Sequence, residues 1–169
     1  DLEETDGLTT NIKGSCIGIN TADCLPVLLY DPTHHAAATL HAGWRGLVGR
    51  IVTKGIEMMK CDFGSIASDL LCAVGPAIST EIYEVGDELK PQFAEAGFPI
   101  EDIFIDRAGW TKSHLDLKAA VKFELLNCGI KKENIEISDI CTYQHSSKYF
   151  SARKLSINSG RIFSGIILK

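Results

Sequence analysis

Two residues of types that can bind metals or act in catalysis lie next to short apolar segments of this chain. Cys24 stands in the turn-prone residues 21–26, just before the apolar residues 27–30, and His41 follows the apolar residues 36–40. A thiolate and a neutral imidazole are preferred zinc ligands, and a catalytic zinc site takes three protein ligands and a water. The same two groups can act as nucleophile and base in a cysteine hydrolase. Either residue alone is often only structural, because cysteine packs as a small hydrophobe and histidine is often partly buried.

Charged residues accompany both candidates. Asp23 directly precedes Cys24 and could orient a metal ligand or accept a hydrogen bond from a substrate. Arg45 follows the turn 42–44 at the expected start of a helix, where free backbone donors and a guanidinium favour an anion such as phosphate. The structural alternatives are a fixed turn for Asp23 and a surface ion pair for Arg45. For Arg50, further along the same expected helix, the surface ion pair is the better interpretation.

The elements that must position these residues can be predicted from the apolar pattern. Short apolar segments bounded by glycine or proline breakers, or alternating with polar residues, predict strands at 16–19, 27–30, 36–40, 70–74, 135–140 and 161–168. Helical spacing of apolar residues predicts helices at 46–60, 86–96 and 116–127. Pro91 is expected to interrupt the second of these helices, and Gly129 is expected to stop the third. Strands mixed with covering helices predict an α/β fold.

The composition favours a globular enzyme and excludes several other classes. The 169 residues, 45% of them hydrophobic, suit one domain with a sizeable core. The formal net charge is -5, and the 17 basic and 22 acidic residues are dispersed along the chain. The sequence therefore shows no basic cluster that would bind nucleic acid or an anionic membrane. No apolar run approaches the roughly 20 residues that span a bilayer. Six cysteines without a Cys-x-x-Cys pair favour reduced thiols in the cytoplasm.

A series of motifs extends the pattern around Cys24 and His41 along the chain. In order, the motifs occupy residues 21–32, 41–46, 74–78, 83–86, 110, 114–117, 141–143, 150–153 and 160–161. Together they closely resemble the YfiH family, also labelled the laccase-domain or purine nucleoside phosphorylase family. Ordered agreement of this kind is more specific than any single motif. The chain differs from the sequence that is commoner in the family at residues 79–82 and 144–145, where the family often has further cysteines.

This resemblance implies an α/β/β/α sandwich with mixed sheets and a zinc site formed by one cysteine and two histidines. Cys24 falls on the family's cysteine, and His41 falls on its second histidine. The first histidine lies in a Val-His-Gly type motif upstream of the cysteine, and we expect it to precede Asp1. Residues 1–169 are therefore expected to be a single domain that lacks its amino-terminal part. With two zinc ligands, the chain as given is expected to bind zinc weakly and to have little activity.

The resemblance also implies an activity, which is phosphorolysis of purine nucleosides such as adenosine, inosine and methylthioadenosine, together with deamination of adenosine. The expected partners are a purine nucleoside and phosphate, with Arg45 holding the phosphate. Arg153 and its aromatic neighbours either bind substrate or close the edge of a sheet. A cysteine hydrolase that uses Cys24 and His41 remains the alternative. Copper is less favoured than zinc, because a multicopper oxidase needs many imidazoles and this chain has five histidines.

Overall fold

The computed structural model describes residues 5–169, which form nine strands and six α-helices. The strands are β1 Gly7–Thr10, β2 Cys16–Thr21, β3 Leu25–Asp31, β4 Ala36–Ala42, β5 Leu71–Val74, β6 Phe104–Ile105, β7 His114–Leu115, β8 Ile135–Ile137 and β9 Ile162–Ile167. The α-helices are α1 Trp44–Val48, α2 Ile51–Phe63, α3 Leu89–Glu95, α4 Ile100–Ile103, α5 Leu117–Asn127 and α6 Ala152–Leu155. Short 3-10 turns at Ala67–Asp69, Lys132–Asn134 and Ser156–Asn158 complete the regular structure of the described residues.

A mixed five-stranded sheet is the centre of the fold. Its strand order is β1-β4-β3-β5-β8, in which β5 and β8 are parallel and all other neighbours are antiparallel. Strands β2 and β9 form a separate antiparallel pair, and β6 and β7 form a second, very short pair. The strands that the sequence predicts at 16–19, 27–30, 36–40 and 70–74 are confirmed as β2, β3, β4 and β5.

The central strands β3 and β4 are buried on both faces, because the sheet lies between two other layers. Helix α2 packs on one face, where Gly55 lies against Leu40 of β4. The β2–β9 pair packs on the other face, against β3 and β4. Strands covered on both faces read as continuous apolar runs, which explains the sequence of β4. The predicted α/β fold with mixed sheets is confirmed.

The outer face of the β2–β9 pair is open among the described residues. Phe163 and Ile167 of β9 are 62% and 51% exposed there. A glycine pair, Gly18 and Gly165, lies beneath the Phe163 ring. A β carbon on Gly18 would approach that ring to 2.3 Å, so the close packing of the aromatic ring requires glycine at this position.

The helix predicted at 46–60 is wrong in one respect, because it is two helices. The chain breaks at Gly49 and at Arg50, which has a left-handed φ of 58°. The Arg50 guanidinium donates to the carbonyl of Ala96 and stacks on the Phe98 ring at 4.2 Å. These tertiary contacts outweigh the local helical preference, so Arg50 has a structural role.

The other predicted helices are confirmed with shifted ends. Helix α5 begins after Asp116, whose carboxylate accepts a hydrogen bond from the backbone N–H of Ala119 at 2.9 Å, and Gly129 beyond its end has a φ of 91°. Helix α3 contains Pro91 in its first turn, where a missing N–H leaves no intrahelical bond unmade. Within residues 5–169, no helix has the length and apolar character that crossing a membrane requires.

Candidate functional site

Cys24 and His41 come together because β3 and β4 are antiparallel neighbours. Leu25 pairs with Ala42 and Pro26 pairs with His41, so the residue before β3 faces the residue after β4. Side chains alternate between the two faces of a sheet, which places Cys24 and His41 on the same face. That face lies opposite α2 and is turned towards the β2–β9 pair. The start of β3 and the end of β4 therefore lie side by side.

Gly43 leaves the space that the two candidate ligands share. A β carbon at this position would lie 2.8 Å from the Cys24 Sγ and 3.8 Å from the His41 Nε2. Both donor atoms thus face one small region beside the glycine backbone. A cleft of about 270 Å³ opens on the His41 side, and its lining includes Gly18 and Asn20 of β2. A larger cleft of about 640 Å³ lies between α2 and α5, away from Cys24 and His41.

Asp6 fixes the orientation of His41. The His41 Nδ1 lies 2.9 Å from the Asp6 Oδ1, and the backbone N–H of His41 donates to the Asp6 carbonyl at 2.7 Å. The other ring nitrogen, Nε2, lies on the Gly43 side, 3.8 Å from the place that a β carbon on Gly43 would take. Asp6 was not predicted from the sequence, because its contact with His41 depends on the pairing of β1 with β4 and no local motif indicates that pairing.

The Cys24 thiol is held in its neutral form. Burial raises the pKa of Cys24 to about 11, the carboxylates of Asp23 and Asp6 add to that rise, and the positive charge of Arg161 opposes it. A thiol with this pKa is a thiolate in only about one molecule in ten thousand at pH 7. A cation beside the sulfur would stabilise the thiolate, whereas a free nucleophile needs a lowered pKa. The raised pKa therefore argues against a free thiolate nucleophile, and a metal at the sulfur would have to displace the thiol proton.

Asp23 is an internal anchor. Its carboxylate accepts hydrogen bonds from the Thr142 hydroxyl at 2.6 Å, the Ser151 hydroxyl at 3.0 Å and the backbone N–H of Arg153 at 2.7 Å. The residue is 7% exposed and has a left-handed φ of 82°. Since both carboxylate oxygens already have protein donors, the geometry gives Asp23 the task of fixing the Cys24 turn. This is the fixed turn that the sequence left open as an alternative, and the substrate contact predicted for Asp23 stays a prediction.

Arg45 projects into solvent at the start of α1. Its guanidinium stacks on the half-buried Trp44 ring at 4.2 Å, and Trp44 packs against the core. Helix α1 has five residues, so it supplies little of the helix dipole on which the expected phosphate site partly depended. The exposed guanidinium still provides a positive charge two residues beyond Gly43.

Arg153 secures a neighbouring segment. Its guanidinium donates to the carbonyl of Ile82 at 3.3 Å and to that of Glu84 at 3.0 Å, and it lies 5.2 Å from the centre of the Tyr83 ring. Together with its backbone bond to Asp23, this joins residues 82–84 to the Cys24 turn. The substrate-binding role predicted for Arg153 stays a prediction, and the structure shows a clear positional role.

Tyr83 is a site residue that sequence reasoning did not single out. Burial raises the pKa of its phenol to about 12, and the charges that act on it include those of Cys24, Arg153, Asp23 and Arg45. Arg153 contacts the Tyr83 ring and donates its backbone N–H to Asp23, so the ring lies near the Cys24 turn. The phenol keeps its proton at neutral pH and can donate a hydrogen bond.

The other four imidazoles bond elsewhere. His34 contacts the Asp31 carboxylate at 2.8 Å, His35 the Tyr30 hydroxyl at 3.2 Å, His114 the Thr80 carbonyl at 2.7 Å and His145 the Cys141 carbonyl at 3.0 Å. In the part of the chain that the structure describes, no group of three or more histidine, cysteine, aspartate or glutamate side chains is arranged to hold a metal ion. The described residues therefore bring together two of the three expected ligands.

Comparison with known proteins gives consistent matches over the whole chain. The family model described as multi-copper polyphenol oxidoreductase laccase matches residues 1–169. A purine nucleoside phosphorylase of Bacteroides thetaiotaomicron is 42% identical over 99% of this chain and 62% of that protein. The adenosine deaminase RL5 of an unknown prokaryotic organism is 42% identical over 99% of this chain and 64% of that protein. The crystal structure of the hypothetical protein YfiH of Bacillus licheniformis superposes with a TM-score of 0.91 at 31% identity, covering 98% of this chain and 62% of that chain.

These matches also define what the chain spans. It aligns almost completely with each of the three proteins but covers less than two thirds of their own lengths. The high TM-score shows that the described strands and helices have the same arrangement as the corresponding part of the longer protein.

Proposed function

The chain belongs to the family described as multi-copper polyphenol oxidoreductase laccase, and on this basis we propose that it is a zinc-dependent purine nucleoside phosphorylase with adenosine deaminase activity. The proposed substrates are phosphate and the nucleosides adenosine, inosine and methylthioadenosine. The convergence of the Cys24 Sγ and the His41 Nε2 beside Gly43 carries the proposal. Two relatives at 42% identity, one named a purine nucleoside phosphorylase and one an adenosine deaminase, support the choice of substrate class.

The donor set of the site fits zinc better than a multicopper centre. Cys24 and His41 would hold the ion, because a thiolate and an imidazole with a carboxylate partner are ordinary zinc ligands. The Gly43 backbone leaves room for an ion where a β carbon would otherwise lie between the two donors. A multicopper oxidase needs several imidazoles close together, and the other histidines of the described residues contact groups outside this site.

The chain's own residues suit the phosphorolytic step. A phosphate oxygen attacks C1′ of the nucleoside, the bond from C1′ to N9 breaks, and the electron pair leaves with the purine, which takes up a proton. Arg45 is exposed and positively charged, so it can hold the phosphate and lower the cost of bringing the two reactants together. The Tyr83 phenol, which stays protonated, can donate a hydrogen bond to the nucleoside.

Deamination is the second proposed reaction of the same cleft. Water adds at C6 of adenosine, and ammonia leaves to give inosine. When bound, zinc would supply positive charge that stabilises the negative charge that develops in either reaction. Asp23 keeps the Cys24 turn rigid in both reactions through its three hydrogen bonds. We also propose a cytoplasmic location, which is supported by the six free cysteines.

The test is chromatographic detection of the products formed from inosine and from adenosine, with and without phosphate, by zinc-loaded protein extended to the length of the relatives that it matches. We expect hypoxanthine to appear from inosine only with phosphate, and inosine to appear from adenosine without it. Cys24→Ala should abolish both reactions. Cys61→Ala is the matched control, because Cys61 is an exposed thiol on α2 and should leave both rates unchanged.

The cysteine hydrolase is tested by the same proteins. A thiol nucleophile is insensitive to chelation but is inactivated by alkylation, whereas a zinc site loses activity to a chelator and regains it with zinc. Cys16 and Cys61 are exposed and would be alkylated first, so both are replaced by serine before the alkylation experiment. Activity that survives chelation but not alkylation of Cys24 would contradict the zinc proposal.

A further inference from the structure

Asp6 lies beside the imidazole of the proposed metal site. From its contacts we infer that Asp6 is a positioning residue, which keeps His41 in the tautomer protonated at Nδ1 and turns the Nε2 lone pair towards the Cys24 sulfur. The functional part of this inference rests on the metal site proposed above. The tautomer itself is a property of the chain without metal and can be measured separately.

Two hydrogen bonds join Asp6 to His41. The carbonyl of Asp6 accepts from the backbone N–H of His41 at 2.7 Å, and the Oδ1 lies 2.9 Å from Nδ1. A carboxylate can only accept a hydrogen bond, so the ring nitrogen facing it must carry the proton. The other nitrogen of a neutral imidazole then has a free lone pair. That nitrogen, Nε2, is the one that faces the Cys24 side of the Gly43 space.

The strand pairing explains why Asp6 is in reach. Gly7 of β1 pairs with Leu40 of β4, so the next position outward on each strand brings Asp6 opposite His41. The Asp6 side chain is 60% exposed and the His41 side chain is 32% exposed. The contact is therefore at the rim of the sheet, where replacement of Asp6 opens no cavity in the core.

This arrangement has a chemical consequence for metal binding. A carboxylate that accepts from the distal nitrogen of a histidine fixes the ring and makes the ligand nitrogen more basic, and loss of such a partner weakens metal binding by about 10- to 100-fold. Asp6 thus acts on the site by orienting His41 through these two hydrogen bonds.

The first experiment reads the tautomer by long-range nitrogen NMR of the metal-free chain at about pH 8.5, two units above the ordinary imidazole pKa. In the unchanged chain, His41 should be protonated at Nδ1. Asp6→Ala should move the proton to Nε2 in most molecules, and Asp6→Asn, which still offers a carbonyl acceptor, should keep it on Nδ1. His34 is an internal control, because its Nδ1 contacts the Asp31 carboxylate and should not respond.

The second experiment uses protein extended to the length of the relatives, titrates each variant with Co(II) and Zn(II) alone, and compares affinity, the cobalt spectrum and thermal stability. Asp6→Ala should weaken binding by about 10- to 100-fold with an unchanged melting temperature, and Asp6→Asn should recover part of the loss. An unchanged His41 tautomer in Asp6→Ala, or equal affinities in all three chains, would overturn the inference. Failure of the unchanged chain to bind either metal would overturn the proposed metal site instead, and the tautomer result alone would then decide the role of Asp6.

Discussion

Gly43→Ala tests whether the space beside Cys24 and His41 is needed. Gly43 has a φ of -81° and a ψ of 174°, so alanine fits the backbone without strain. Its β carbon, however, would lie 2.8 Å from the Cys24 Sγ, about 1 Å closer than the roughly 3.5–4.0 Å at which such atoms attract each other. Overpacking of this kind costs about 1–3 kcal/mol. Alanine also lowers the conformational entropy of the unfolded chain, which offsets about 0.4–1 kcal/mol of that cost.

The net loss is about 1 kcal/mol, which lowers the melting temperature by roughly 2–4 °C in a chain of this length. The effect on metal binding should be larger, because relief of the overlap moves the sulfur away from the point that it shares with Nε2. We expect at least a tenfold loss of zinc affinity in a competition titration, by analogy with the cost of misplacing a ligand. Phosphorolysis of inosine should fall in parallel.

Gly49→Ala is the matched control for this prediction. Gly49 also has a negative φ, -75°, and its β carbon would lie 3.2 Å from the carbonyl of Arg45, at the far end of α1. This variant should leave zinc affinity unchanged. If Gly43→Ala bound zinc as tightly as the unchanged chain, the space beside Gly43 would not be the place where the two donors meet a metal.

Three further predictions concern the frame of the site. Asp23→Ala should destabilise the protein by about 3 kcal/mol, because it leaves two buried hydroxyl groups and a backbone N–H without an acceptor. Asp23→Asn should cost less stability. Urea unfolding measures both variants, and equal losses would contradict the anchoring role. Burial raises the pKa of Glu124 above its ordinary 4.5, so the folded chain holds the proton more tightly and its stability should fall as pH rises from 4.5 through the raised pKa. Glu124→Gln should remove that fall in unfolding experiments across the same pH range, and a fall of unchanged size would refute the assignment. Asp116→Ala should cost about 1 kcal/mol through loss of the bond to the N–H of Ala119, and an unchanged midpoint would show that the cap contributes nothing.

Much of the central sheet could be predicted because its strands are buried on both faces. Continuous apolar runs such as residues 27–30 and 36–40 indicate buried strands, and the glycine, proline and polar residues around them indicate where the strands end. The placement of Cys24 and His41 followed from the same signal, since each residue adjoins one of these runs. Neighbouring antiparallel strands then bring them to the same edge.

The contacts that complete the site could not be predicted, because they depend on register and on distant segments. Asp6 reaches His41 through the pairing of β1 with β4, and no local pattern reveals that register. Asp23 looked like a ligand's neighbour from sequence, whereas its partners Thr142 and Ser151 lie far along the chain. Tyr83 belongs to a motif, but only the fold places its phenol beside the site.

The helix break at Arg50 shows the same limit in another form. Local spacing of apolar residues favours one continuous helix, and the bond from Arg50 to Ala96 together with the Phe98 contact outweighs it. Glu124 is a related case, because a charged residue in an amphipathic helix normally faces water. Here it is buried and accepts from the backbone and hydroxyl of Thr53 at the start of α2, where free N–H groups need a partner.

The anchoring of Asp23 sets an order of events during synthesis. Its three hydrogen bonds join residues separated by 119, 128 and 130 positions. The Cys24 turn is therefore synthesised early, and the residues that bond to Asp23 are synthesised much later. At a translation rate of about 5–20 residues per second, roughly 6–20 s pass between the end of β4 and the appearance of Arg153. A nascent chain in that interval carries the thiol and the imidazole but lacks the three donors that hold the Asp23 carboxylate. We therefore predict that ribosome-bound chains that end before Thr142 do not retain zinc at the proposed site.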